Sequence, residues 1–157
     1  MHITEASEFA TWFWPTFVVN DDLVFLEFVN WNRVYDLNIF HDRTGIESQL
    51  NHIHILDAFD HDATNDDEPY WDASHPHFKL ACGVGRAFAS SWAHKLSLDY
   101  PDRRFRVYYT RDDNPIVRFH QIHEGEPPWL DRENSSWATD EDAVLIVDVS
   151  GHQRRVG

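Results

Sequence analysis

The chain predicts an α+β fold: a single domain over residues 1–157, with an antiparallel β-sheet and about three to four helices packed on one face. Three observations carry this expectation. Of the 157 residues, 42% are hydrophobic and 15% aromatic, with seven Trp and eleven Phe. A chain of that size and composition buries one sizeable core without needing a disulfide or a metal. Residues 74–98 hold a long apolar pattern of period 3.6, whereas "RFRVYYT" and "IVRFHQI" alternate with period two on either side of the turn signal "RDDNP".

Taken in order, Thr4 is placed to N-cap a first helix, with Glu5 and Glu8 near its positive end and Pro15 closing it. "TFVV", "NDD" and "LVFLEFV" then read as strand, turn and strand. "WNRVYDLNIF" reads as a short helix anchored by Val34, Leu37 and Phe40. Residues 45–60 fit a helix, because Ile46, Leu50 and Ile53 fall within about 60° of one another with Leu56 alongside. A short strand "HIHIL" is the competing reading, favoured by its two Ile. "DATNDDEPYWDAS" is a loop.

Ser74 caps the long helix and Pro76 sits in its first turn. Phe78, Ala81, Gly85, Phe88, Trp92 and Lys95 or Leu96 mark one side of it. Glycine costs about 1 kcal/mol in a helix interior, so Gly83 and Gly85 imply a close approach by another element. In the hairpin that follows, Phe105, Val107 and Tyr109 share one face with Val117 and Phe119. Arg104, Arg106 and Tyr108 share the other with Arg118 and His120. "AVLIVDV" is a final strand, with no internal repeat anywhere.

The net charge is −14, from 27 acids against 13 Lys and Arg. Such a surface repels phosphate backbones and anionic lipid, so neither nucleic acid nor membrane is expected as a partner, and a basic protein is. Simple solubility is the bland alternative. "MHITEASEFATWFWP" lacks the basic start of a secretory signal, and no apolar run approaches the ~20 residues of a spanning helix. The single Cys82 fits a small core residue in a reducing compartment, so a cytoplasmic location is expected.

Three constellations could carry chemistry. On the helix expected over 45–60, His54, Asp57 and His61 lie on one side, within about 60°, and two imidazoles with a carboxylate suit Zn or iron. His52 lies about 200° from His54 on such a helix and cannot share a ligand with it. His75 and His77 could add one. No established metal motif such as H-E-x-x-H is present, and no cofactor is implied. The structural alternative is a solvated or capping row of His and Asp.

The second is cationic. Arg104, Arg106, Arg118 and His120 form a candidate anion site, with Arg118 as a bidentate clamp for carboxylate or phosphate. Internal pairing is the alternative, with acidic loops covering the basic face and a carboxylate partner for Arg118. The third is the loop "EGEPPWLDRENSSWATDED", long for a segment without regular structure. Trp129 and Trp137, ringed by Glu124, Glu126, Asp131 and Glu133, have the composition of an interface hot spot. The alternative is that each Trp folds back as a lid on the core. No nucleophile elbow or phosphate loop is present. The sequence therefore favours a small acidic binding or inhibitor protein that masks a basic surface of a partner, as bacterial immunity proteins or phage inhibitors do. A metal-dependent hydrolase built on the His/Asp cluster is the alternative.

Overall fold

The computed structural model describes residues 2–29, 40–58, 73–131, 133 and 140–151. Three helices and two antiparallel sheets give the expected α+β class. Helix α1 (Ile3–Phe13) starts at His2, not at Thr4, which lies inside the first turn. Glu5 reaches back to accept the His2 N–H at 2.7 Å, so an acidic side chain supplies the cap interaction that Thr4 was expected to make. The other end is satisfied in trans. Ser91 Oγ donates to the Phe13 carbonyl at 2.6 Å and Trp92 Nε1 to the Trp12 carbonyl at 2.8 Å, filling acceptors that a helix terminus leaves open.

β1 (Phe17–Asn20) and β2 (Leu23–Leu26) form a hairpin in the register Phe17↔Leu26. Asp21 and Asp22 both have positive φ, 48° and 68°. That is the type I′ turn whose twist matches a two-residue hairpin, and short polar side chains tolerate it. The expected helix over "WNRVYDLNIF" falls, apart from Phe40, outside the described residues, as does most of the loop "DATNDDEPYWDAS".

The helix expected over 45–60 is corrected. α2 (Arg43–Leu50) is capped by Asp42, whose side chain accepts the Gly45 N–H at 2.7 Å, and it stops at Asn51 (φ −88°, ψ 60°). β3 (His52–His54) follows, then a single 3₁₀ turn (Leu56–Ala58). The apolar spacing serves two cores rather than one helix face. Ile46 and Leu50 pack with Leu23 and Phe25, whereas Ile53 and Leu56 join the main core.

α3 (Pro76–Asp99) is capped by His75, one residue after Ser74, with Pro76 at its first position. β4 (Phe105–Thr110), β5 (Ile116–Gln121) and β6 (Val144–Val149) join β3 in the order β3-β5-β4-β6. The apolar side of α3 meets the sheet face carrying Val107, Tyr109, Val117 and Phe119. Gly85 has the packing reason expected of it. A Cβ there would lie 2.9 Å from two Tyr109 ring carbons and 3.3 Å from Ile55. Gly83 does not, since a Cβ there would meet nothing within 4 Å. Among the described residues, no helix is long and apolar enough to cross a membrane.

Candidate functional site

Strand alternation sends Arg106, Tyr108, Arg118 and His120 to the sheet face opposite α3, in the register Arg106↔His120 and Tyr108↔Arg118. β3 extends this face, with His52 opposite Arg118 and His54 opposite Ile116. β6 brings Asp148 opposite Arg106. Arg106 grips that carboxylate side-on, Nε to Oδ1 at 2.6 Å and Nη2 to Oδ2 at 2.8 Å. The hydrogen bonds hold Asp148 below the usual carboxylate range. Arg104 is exposed.

His120 is buried, and burial lowers its pKa. Its Nδ1 faces the Gln121 carbonyl at 2.6 Å, so that nitrogen carries the proton. Nε2 is then the acceptor for Tyr108 Oη at 2.9 Å. Burial pushes the Tyr108 phenol up to about 12, which keeps it a donor. The pair is a neutral, satisfied buried contact.

Arg118 is only 9% exposed, and the expected carboxylate partner is absent among the described residues. Its Cζ lies 4.0 Å over the Trp129 ring, and Nη1 donates to the Ser48 carbonyl at 2.6 Å. Nε is buried without a partner. Burial lowers the Arg118 pKa to about 10, which leaves it charged at neutral pH. Half-buried His52 lies next to it; burial and then the Arg118 charge lower its pKa.

Trp129 covers this face. Its ring meets Tyr108 edge-on at 5.2 Å, and its backbone N–H points at His120 Nε2 at 3.4 Å. It is half-buried, part lid and part surface. Glu126 is drawn inward. It accepts from Arg43 Nε at 2.7 Å and from Thr44 N and Oγ1 at 2.8 and 2.9 Å, finishing the N-terminus of α2. Burial alone would raise its pKa, but these hydrogen bonds outweigh it and hold the carboxyl at about 2. Glu124, Asp131 and Glu133 are exposed. Trp137 lies outside the described residues.

The helical geometry expected for His54, Asp57 and His61 does not exist. His54 is on β3 and Asp57 in the 3₁₀ turn, where Asn114 Nδ2 donates to it at 2.9 Å. His61 lies outside the described residues. The strand instead brings His52 and His54 together, ring centroids 5.3 Å apart, correcting the expectation that these two diverge. His75 and His77 form a similar ring pair at 5.1 Å. Among the described residues, no three His, Cys, Asp or Glu side chains are grouped to hold a metal ion.

Of the candidate anion-site residues Arg106 is engaged in an ion pair, and so are basic side chains outside that site. Arg103 pairs with Asp22, Arg106 with Asp148, Arg111 with Asp140 and Lys95 with Asp99. Arg86 reaches the Glu141 and Asp142 carbonyls.

A family model described as the Uncharacterized protein PM0498 family matches residues 6–155. The chain belongs to that family. Comparisons with curated proteins and with solved structures gave no match. The matched span takes in every described residue of the polar face and of its Trp129 cover.

The family span also contains a buried polar seam that the sequence reading missed. Glu47 is fully buried, and its carboxylate accepts from Val24 N (2.8 Å), Gln121 N (2.8 Å), Gln121 Nε2 (2.7 Å) and His123 Nε2 (2.9 Å). One turn on, Asn51 accepts from Leu26 N at 3.0 Å and donates to the Val24 carbonyl at 2.7 Å, while its own carbonyl accepts Phe119 N at 3.1 Å. Glu47 bonds both β2 and the end of β5 that runs beyond β3, and Asn51 bonds β2 through its side chain and β5 through its carbonyl, so the two residues join the two sheets. The only sequence signal was the i, i+4 spacing of two polar residues, which also describes an ordinary solvated helix face.

Proposed function

We propose that this protein is a small acidic binding protein of the cytoplasm that acts by covering a basic surface of another protein, in the manner of an immunity protein on a toxin or a phage inhibitor on a defence protein. The observation that carries this reading is the setting of Trp129. Its ring is fixed from behind by Arg118 and Tyr108, yet the residue stays partly exposed. A ring already held in place loses little freedom on binding, and tryptophan is the side chain most enriched at hot spots. Exposed Glu124, Asp131 and Glu133 flank it, and the chain carries −14 overall. Glu126 belongs to α2 and drops out of the steering rim. Trp137 remains a candidate second anchor.

The test is titration of purified basic proteins encoded by adjoining genes against this protein. A one-to-one complex is expected. Trp129→Ala should weaken it by at least ~2 kcal/mol, mainly through faster dissociation. Glu124→Gln, Asp131→Asn and Glu133→Gln together should slow association and flatten its salt dependence. Binding that ignores a correctly folded Trp129→Ala variant would sink the assignment.

A further inference from the structure

Two arginines on the same sheet face make an internal comparison. Arg106 uses its side-on fork, Nε with Nη2, to hold the Asp148 carboxylate. Arg118 presents the same fork with no protein acceptor on it among the described residues. Its one hydrogen bond runs from the other terminal nitrogen, Nη1, to the Ser48 carbonyl, and its Nε is buried without a partner. The fork belongs to a residue about nine-tenths buried, whose Cζ lies beneath Trp129, 4.0 Å from the ring centroid. An unpartnered buried charge is expensive, and a guanidinium edge fixed in plane is the geometry that two oxygens of one anion fill with parallel hydrogen bonds.

We propose that the Nε–Nη2 edge of Arg118, roofed by Trp129 and flanked by His52, binds a small oxyanion: a carboxylate or a phosphate monoester-sized group. The surroundings set the size. Glu124, Asp131 and Glu133 are exposed on the covering loop, and the whole chain is strongly acidic. Extended polyanions meet that field over their full length, whereas a compact anion meets the Arg118 guanidinium at contact distance and the exposed acids only through screening solvent, with Asp112 the described carboxylate whose charge acts on Arg118. The acidic rim therefore selects for small ligands. His52 contributes no competing positive charge at neutral pH, since burial and then Arg118 lower its pKa. Its Nδ1 faces the Gln49 carbonyl at 2.7 Å.

The test uses the intact ¹⁵N-labelled protein and follows arginine Nε–H resonances by NMR. Sodium acetate and sodium phosphate are titrated separately, against sodium chloride at matched ionic strength. The Arg118 resonance is the one lost in Arg118→Lys; should that variant fail to fold, it is assigned through bonds from the wild-type backbone. We expect this resonance to move saturably with acetate, with phosphate or with both, and to stay nearly still in chloride. Arg118→Lys keeps the charge but removes the fork, and should weaken the saturable response at Trp129 by ten-fold or more. The anion that saturates at lower concentration distinguishes a carboxylate site from a phosphate site. A shift that is linear, or that chloride reproduces, overturns the proposal, as does unchanged saturation in a folded Arg118→Lys variant. No partner protein enters the experiment, so its failure is separate from failure of the protein-binding reading.

Discussion

The sheet face carrying Val107, Tyr109, Val117 and Phe119 and the face carrying Arg106, Tyr108, Arg118 and His120 are made by the same strands but closed by different physics. α3 covers the first with rings and methyl groups. Phe119 alone meets Phe17, Trp92 and Phe105 edge-on, at 5.3, 6.0 and 6.2 Å. That closure is non-directional and scales with area. A loop covers the second, and its contacts are directional: one cation beneath a ring, one Tyr–His pair, one Arg–Asp fork. The apolar side specifies stability, and the polar side holds groups at fixed angles at little net gain, which is where binding chemistry can be afforded.

The largest effect should separate the two sides directly. Phe119→Ala opens a cavity in the apolar core and should cost about 3–5 kcal/mol. Trp129→Ala removes a larger ring, but one that is partly exposed on a loop, and should cost about 1–2 kcal/mol from the lost cation–π and aromatic contacts. Urea midpoints at constant m-value measure both. Equal losses would mean that the loop is as much a part of the core as α3 is.

Next comes the fit between α3 and the sheet. Gly85→Ala places a methyl 2.9 Å from the Tyr109 ring and should destabilise by about 1–3 kcal/mol. Gly83→Ala meets open space and should stabilise by about 0.5–1 kcal/mol through helix propensity. Thermal midpoints moving in opposite directions would confirm that only one of these glycines is a packing residue.

These two glycines show where a sequence reading stops. The run from Phe78 to Leu96 marked the buried side of α3, and period-two alternation sorted the hairpin side chains onto their faces, because both signals are local. Partners are not local. Arg118 is bound to Ser48, 70 residues away, and Arg106 to Asp148, 42 away. Helical spacing put Gly85 on the buried side and left Gly83 off it, but it could not say that the element approaching Gly85 is Tyr109. The stretch 45–60 misled for a related reason. Its apolar residues fit one helix face, yet Asn51 leaves helical geometry so that its side chain can pair with the backbone of β2. Trp129 gave its composition away but not its seat, because a loop has no periodicity to say which way a ring points.

The third prediction places pH sensitivity on one side. Among the described residues, the sheet face covered by α3 carries no histidine, whereas the polar face carries His52 and His120, both with pKa lowered by burial. A histidine whose folded pKa is depressed binds fewer protons folded than unfolded. Stability should therefore be full above the unfolded value of about 6.5 and fall as pH drops below it, by at most about 1.4 kcal/mol per pH unit for each group. Urea midpoints at pH 7.5 and 5.5 read this, and His120→Gln, which can still accept from Tyr108, should flatten the slope. A slope unchanged in that variant would show that His120 is not the group responsible.

The smallest effect is the most discriminating. Arg118→Met keeps an unbranched apolar stem that ends near the position of Nε and removes the guanidinium with its charge. It gives up the Ser48 hydrogen bond and a cation–π contact worth up to about 2 kcal/mol when desolvated. Against this, it removes a buried charge that no described carboxylate pairs with directly, Asp112 acting only at longer range, and replacing such charges with apolar groups of similar volume is often neutral or stabilising. The two terms should nearly cancel, leaving the urea midpoint within about 1 kcal/mol of wild type. A loss of about 3 kcal/mol or more would make Arg118 a structural keystone of the polar face. A near-zero change would mean that folding does not require the charge, as expected of a residue whose use is to hold an anion.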